Sequence, residues 1–118
     1  MVINKLDENS FNIYVENDSV ISFDYNTSHH GQFKLYSKDT VVECHPIQAT
    51  NLKTKYYHVE WLLESHKEYI LKIVCDTQSL DIANGWVYDD SLLEHGGVCF
   101  SLKYGQFQSH HSHNNSNL

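Results

Sequence analysis

The fold class is indicated most directly by residues 11–25, which read FNIYVENDSVISFDY. Apolar side chains alternate with their neighbours in two runs, which are Phe11, Ile13 and Val15, then Ile21, Phe23 and Tyr25. Successive side chains of a β-strand point to opposite sides, so each run predicts a strand with one buried face. The short polar link at 16–18 predicts that the two strands form a hairpin.

The same alternation continues along the chain. A second hairpin is predicted between residues 33–36 and 40–44, because the polar turn formers Ser37, Lys38 and Asp39 separate two β-branched or aromatic runs. Pro46, the single proline, removes one backbone donor and indicates the end or the edge of a strand. A last strand is predicted from the alternating apolar residues Val98, Phe100, Leu102 and Tyr104.

Two periods fit the segment from Tyr56 to Cys75. As strands, Tyr57, Val59, Trp61 and Leu63 share one face, residues 64–67 turn, and Tyr69, Leu71, Ile73 and Cys75 return. As a helix, the apolar stripe would comprise Val59, Leu62, Leu63, His66, Ile70 and Ile73, with Glu68 and Lys72 at i,i+4 spacing. We favour strands because the alternation from Tyr56 to Trp61 is unbroken and β-forming residues dominate.

Seven to nine short strands separated by turn signals are typical of a β-sandwich or a small barrel. We therefore expect an all-β protein, an antiparallel β-sandwich of the Ig-like or jelly-roll-like kind, with one domain over residues 1–105. The capping-box spacing of Ser91 and Glu94 predicts one short helical turn near 91–95. Residues 106–118 are mostly Ser, His and Asn, and ordering them would bury little apolar surface, so we expect a flexible tail.

Composition excludes some classes of partner. The chain has 118 residues, 41% of them hydrophobic, which is enough for one core. Its formal net charge is −7 and all its cationic side chains are lysines, so we expect neither nucleic acid nor an anionic membrane surface as a partner. No apolar run approaches the roughly 20 residues that cross a bilayer, and residues 1–8 do not resemble a signal peptide.

Cysteine and histidine usage predicts neither a disulfide framework nor a metal site. Cys44, Cys75 and Cys99 are an odd number and are interpreted as buried thiols in a reducing compartment. Cys44 and His45 could join His58 or Cys75 only if the fold brought them together, because their spacing is not that of a metal motif. The tail cluster His110, His111 and His113 is interpreted as solvated. We therefore expect no cofactor.

Catalytic signatures are also missing from the sequence, which contains no nucleophile elbow and no glycine-rich phosphate loop. We therefore expect a protein that is not an enzyme and has no catalytic residues. The stretch 84–90 is predicted to be a loop whose Trp86, Tyr88, Asp89 and Asp90 could stack on a sugar or anchor a protein partner. The alternative is that Trp86 fills the core while both aspartates face water.

Two resemblances bear on these expectations. The order Cys44, Trp61, Cys75 is similar to the cysteine, tryptophan, cysteine order of immunoglobulin domains, although the second cysteine follows the tryptophan too closely and Tyr69 is not two residues before it. An Ig-like sandwich without the disulfide stays open. Residues 11–104, with their Lys/Asn-rich composition and hairpins such as that from Phe33 to Cys44, resemble small β-sandwich accessory proteins of tailed-bacteriophage virions. That resemblance implies a binding or decoration role in a larger assembly.

The functional hypothesis is a non-enzymatic structural or interaction module that docks onto a protein assembly, or onto copies of itself, through strand edges or the aromatic loop. The expected location is a virion or the cytoplasm. The alternative is a sandwich that binds a carbohydrate or another small ligand through Trp86, Tyr88 and Asp89. A third hypothesis is a metal-dependent enzyme that uses the scattered histidines.

Overall fold

All secondary structure in the described part of the chain is β-strand. A computed structural model describes residues 1–89, 97–100 and 107–110, the last four as backbone only. Ten strands follow one another: β1 (Val2–Asp7), β2 (Ser10–Val15), β3 (Ser19–Asn26), β4 (Gly31–Ser37), β5 (Thr40–Ile47), β6 (Tyr57–Leu63), β7 (Lys67–Val74), β8 (Asp81–Asp89), β9 (Gly97–Phe100) and β10 (Phe107–His110). The prediction of an all-β protein is confirmed.

The strands form two antiparallel five-stranded sheets. The first sheet has the order β1-β2-β7-β4-β5, and the second sheet has the order β10-β9-β8-β3-β6. Each sheet contributes its apolar side chains to one shared core, as in a β-sandwich. The edge strands are β1 and β5 in the first sheet, and β10 and β6 in the second.

Aromatic rings from both sheets meet in the core. The ring of Phe33 in the first sheet lies edge-on to Phe23 and Tyr25 of the second, with centroids 5.0 Å apart in both pairs. Phe100 of β9 lies 5.7 Å from Phe11 and 5.9 Å from Phe23. Because burying one such side chain contributes about 1.5–3 kcal/mol, these aromatic contacts within and between the sheets are a main source of stability.

The predicted buried faces agree with the structure. Alternate residues of β2, β3 and β7 are buried as expected, namely Phe11, Ile13, Val15, Ile21, Phe23, Tyr25, Tyr69, Leu71 and Ile73. The β4–β5 hairpin is confirmed, with Lys38 in its turn at φ 58°. The segment from Tyr57 to Val74 forms strands, so the helical alternative for it is wrong.

Two predicted hairpins are wrong. β2 pairs with β1 and β7, whereas β3 pairs with β6 and β8, so the link at 16–18 crosses from one sheet to the other. β6 and β7 likewise lie in different sheets. The alternation of side chains specifies which face of a strand is buried, and a short polar link suits a crossing between packed sheets as well as it suits a hairpin.

Other strands were not predicted. β1 was missed because Ile3 is its single buried residue. Phe107–His110 of the expected flexible tail pair with β9 from Phe107↔Phe100 to His110↔Gly97. Backbone pairing of this kind satisfies donors and acceptors whatever the side chains are, and composition does not reveal it. Leu102, Tyr104, the predicted turn near 91–95 and the rest of the tail lie outside the described residues.

The cysteines also differ from expectation. Cys44 is exposed on the edge strand β5, and Cys75 and Cys99 are half-buried. The interpretation of Cys44 as a buried thiol is wrong because the outward face of β5 has no further layer over it among the described residues. Burial does raise the pKa of the Cys75 thiol.

Candidate functional site

The candidate site is the outer face of the second sheet. Its middle strand β3 pairs with β6 on one side and β8 on the other, so side chains from three strands lie in rows across the face. One row contains Leu62, Val20 and Tyr88, and the next contains Glu60, Ser22 and Trp86. Aromatic, hydroxyl and carboxylate groups therefore become neighbours although they are far apart in the chain.

Trp86 and Tyr88 lie in β8, and not in the loop that was predicted. Val87 between them is completely buried, so the alternation of the strand points both rings to the outer face, where they are half-buried. The alternative in which Trp86 fills the core is therefore wrong. Asp89 ends β8 and accepts a hydrogen bond from Nδ2 of Asn17 at 2.7 Å. Asp90 lies outside the described residues.

A polar cluster, called here the Asp24 cluster, occupies the same face and comprises Ser22, Asp24, His58, Glu60 and Asn84. Nδ1 of His58 donates to Oδ1 of Asp24 at 2.6 Å, and Nδ2 of Asn84 donates to Oδ2 of Asp24 at 3.0 Å. Nε2 of His58 lies 3.2 Å from Oε1 of Glu60 and 3.4 Å from Oγ of Ser22. The cluster joins β3, β6 and β8 by side-chain contacts.

A bulge in β8 directs Asn84 toward this cluster. The register with β3 shifts between Ser22↔Trp86 and Asp24↔Ala83, so β8 has one extra residue there. Asn84 has φ 53°, a left-handed conformation that few residues other than Gly, Asn and Asp adopt easily. Bulges commonly redirect a side chain, and here the result is the amide contact with Asp24.

The cluster shifts the pKa of two of its members in opposite directions. The hydrogen bond from Asn84, and to a lesser extent that from His58, holds the pKa of Asp24 below its ordinary range. The hydrogen bond to Asp24, and to a lesser extent that to Glu60, raises the pKa of His58 above its ordinary value. Both shifts favour the charged pair, an imidazolium on His58 and a carboxylate on Asp24.

Charge is distributed unequally between the two sheets. The strands of the second sheet contain four carboxylates, from Asp24, Glu60, Asp81 and Asp89, and no lysine. The strands of the first sheet contain four lysines, which are Lys5, Lys34, Lys67 and Lys72. Three of these carboxylates, Asp24, Glu60 and Asp81, are on the outer face, where they outnumber His58, whose protonated ring would offset one of them. This face therefore favours neutral or cationic ligands.

The edge strands of the sandwich differ in how open they are to further pairing. β5 contains Pro46 and a register shift next to Leu35, and β1 has a register shift between Lys5 and Asp7. The described β10 is four residues long. β6 pairs with β3 over seven successive residues without a shift and contains no proline. Proline, bulges and shortness protect an edge from pairing, so β6 is the regular edge among the described strands.

Apolar groups surround the edge of β6. Leu62 is 72% exposed and Val42 of β5 is 46% exposed. Both line a cleft of about 400 Å³ between the two sheets, together with Glu43, Glu64 and Tyr69. Trp61 points inward from β6 and is half-buried against the core.

The described ranges contain neither a cluster of metal ligands nor a helix that could span a membrane. No three His, Cys, Asp or Glu side chains in them are arranged to hold a metal ion, so Cys44, His45, His58 and Cys75 do not converge on one site. The three cysteines are free thiols. Within the same ranges no helix has the length and apolarity needed to cross a membrane.

Comparisons with known proteins leave the site to be interpreted from its own geometry. No protein-family model, no curated protein and no solved structure matches this chain.

Sequence reasoning identified Trp86, Tyr88 and Asp89 as binding residues but missed Asp24. It considered His58 only as a possible metal ligand, and Asn84 only as the first residue of the stretch 84–90. His58 lies 34 residues from Asp24 in sequence, and Asn84 lies 60 residues from it. The available signal was the polar alternate face of two predicted strands, Ser22 with Asp24 and His58 with Glu60. The register that aligns these strands is not encoded in either strand alone.

Proposed function

We propose that this protein is a non-enzymatic interaction module that docks onto a larger protein assembly by accepting an extended segment of its partner at the edge of β6. The observation that carries the proposal is the regular seven-residue edge of β6, next to the exposed Leu62. Addition of a strand to a free sheet edge supplies main-chain hydrogen bonds, and neighbouring pockets supply specificity.

The chemistry around β6 indicates the kind of segment that fits. Leu62 and Val42 offer apolar contacts in the cleft that they share. The half-buried Trp61 lies next to Leu62 in β6, and tryptophan is a frequent anchor in protein interfaces. Glu43 and Glu64 line the same cleft, Glu60 lies two residues before Leu62 in β6, and Oε1 of Glu64 accepts from Nζ of Lys67 at 2.5 Å. A partner strand that alternates apolar and basic residues would match this surface in both shape and charge.

A virion is the assembly that we propose first, on the resemblance of residues 11–104 to phage accessory proteins. Attachment to copies of the same chain is the competing arrangement. If copies of the chain attach to one another, the purified protein should self-associate through β6. If it attaches to a virion, the purified protein should not.

The test compares Leu62→Lys with Leu52→Lys. Both leucines are strongly exposed, at 72% and 62%, but Leu52 lies in the connection between β5 and β6, outside the strand and before its first residue, Tyr57. The partner is recovered from source cells with the wild-type protein, identified, purified and titrated against all three proteins. We expect Leu62→Lys to weaken binding at least tenfold and Leu52→Lys to leave it within twofold. Equal effects of the two substitutions, or a wild-type protein that binds nothing, would contradict the proposal.

A further inference from the structure

We propose that the outer face of the second sheet is a binding site for a neutral saccharide, formed by the Asp24 cluster together with Trp86. This site uses the outward side chains of three strands, whereas docking uses the main-chain edge of β6, and Glu60 of β6 borders both.

The Asp24 cluster has the hydrogen-bonding capacity that sugar hydroxyls require. Each carboxylate oxygen of Asp24 accepts one hydrogen bond within the cluster, and each retains a further acceptor position. The amide oxygen of Asn84 and the second carboxylate oxygen of Glu60 add acceptors on the same face. A sugar hydroxyl can both donate and accept, so adjacent hydroxyls suit a row of fixed carboxylate, amide and imidazole groups.

The side chains of the Asp24 cluster are accessible to a ligand and are held in place by hydrogen bonds. The side chains of His58 and Glu60 are about half exposed, and that of Asp24 is 28% exposed. Asp24 is nevertheless fixed from two sides, by His58 of β6 and by Asn84 of β8. A site whose polar groups are already oriented loses less conformational entropy when it binds a ligand.

Trp86 supplies the apolar component of the site. It lies directly across from Ser22 in the sheet register, one row from Asp24. A pyranose ring has an apolar side of C–H groups that packs on aromatic surfaces, while its hydroxyls bond to polar groups around them. The neighbouring Tyr88 extends the aromatic surface along β8.

The charge of the face selects the class of saccharide. Asp24, Glu60 and Asp81 outnumber His58 on this face, and no lysine lies in the strands of this sheet, so the anionic groups of sialylated, uronic or sulfated sugars would be repelled. Neutral hexose and N-acetylhexosamine oligomers meet no such repulsion.

The test uses the full chain on an array of neutral glucan, mannan, galactan and chitin oligosaccharides, with sialylated and sulfated glycans on the same surface. We expect binding to neutral members only. The strongest neutral oligosaccharide is then titrated against Asn84→Gly, Asp24→Asn and Trp86→Ala. Glycine accepts the left-handed backbone of Asn84, so Asn84→Gly removes the amide without disturbing the bulge.

Lys38→Gly is the matched control, because Lys38 has a similar φ of 58° but lies in the β4–β5 turn of the first sheet. We expect each of the three site variants to weaken binding at least tenfold and Lys38→Gly to leave it unchanged. Asp24→Asn nearly preserves side-chain shape and keeps the test decisive if another variant fails to fold. No binding to neutral glycans, binding to anionic glycans only, or binding that survives both Asn84→Gly and Asp24→Asn would overturn the proposal.

The variant Leu62→Lys distinguishes failure of this proposal from failure of docking at β6. If both are correct, that variant loses the protein partner and retains the oligosaccharide. Loss of the oligosaccharide in Leu62→Lys with retention in Asn84→Gly would place the glycan at the strand edge and overturn the site proposed here.

Discussion

The hydroxyl of Tyr25 lies 3.0 Å from Nε2 of His45 and accepts a hydrogen bond from the backbone N–H of Gln48 at 2.9 Å. Donation of its own proton to Nε2 requires a neutral imidazole protonated on Nδ1, which agrees with the lowered pKa of His45. Tyr25 belongs to β3 of the second sheet, whereas His45 belongs to β5, an edge of the first. This bond ties the two sheets together on the side of the sandwich where β5 is an edge.

Removing the hydroxyl should weaken this connection. Tyr25 is completely buried, so Tyr25→Phe leaves the N–H of Gln48 and the ring of His45 without this partner. We expect the free energy of unfolding to fall by about 1–3 kcal/mol, measured by urea denaturation. Tyr14→Phe on the outer face of the first sheet is the control and should change it by less than about 0.5 kcal/mol. Equal stabilities of the two variants would contradict the assigned bond.

His45 should make the protein less stable in mild acid. Burial lowers the pKa of His45 below its ordinary value of 6.5, so the unfolded chain binds a proton more readily than the folded protein does. Its contribution to stability is complete above pH 6.5 and is lost as the pH falls toward the lowered pKa. In His45→Gln, whose amide oxygen can accept from Tyr25, denaturation curves across this window should show a weaker loss. An unchanged slope would argue against a neutral His45.

His58 should have the opposite effect on how stability depends on pH. Its pKa is raised by Asp24 and Glu60, so its contribution is complete below the ordinary value of 6.5 and is lost as the pH rises through the raised pKa. The effect is small because the ring is about half exposed to solvent. We expect His58→Gln to abolish the decline in stability on the alkaline side of pH 6.5. NMR titration of the two imidazoles gives an independent measurement, with His58 titrating at the higher pH.

Gly85 should tolerate no side chain. A Cβ atom there would lie 2.6 Å from the carbonyl oxygen of Phe100 and 3.2 Å from its ring. Since Phe100 packs on Phe11 and Phe23, the strain would be passed on to the core. We expect Gly85→Ala to lower the free energy of unfolding by about 1–3 kcal/mol in urea denaturation. A variant as stable as the wild type would mean that β8 and β9 lie farther apart than described.

The sequence predicted which face of a strand is buried better than it predicted which strands pair. Alternation identified the inward residues of β2, β3 and β7 because burial of one face is a local property of each strand. Pairing depends on residues distant in the chain, as in Ser10↔Lys72 between β2 and β7, and no local pattern specified it. Both incorrect hairpins, β2 with β3 and β6 with β7, share this cause.

The candidate site could be predicted only in part for the same reason. Trp86 and Tyr88 were identified because adjacent aromatic residues are visible in the sequence. The contact of Asp24 with His58 and Asn84 requires the register of three strands and the bulge in β8. The docking edge likewise depends on sheet order, since β6 becomes an edge only because β7 joins the other sheet.

Amide hydrogen exchange across β6, measured by NMR on the free protein and on its complex with the recovered partner, tests strand addition most directly. In the free protein, the N–H groups of Tyr57–Leu63 that are not bonded to β3 should exchange quickly, in alternation with protected ones. In the complex, these fast amides should become protected while those of β1 stay unchanged. Fast exchange of the same β6 amides in a saturated complex would show that the partner binds elsewhere and would contradict docking at this edge.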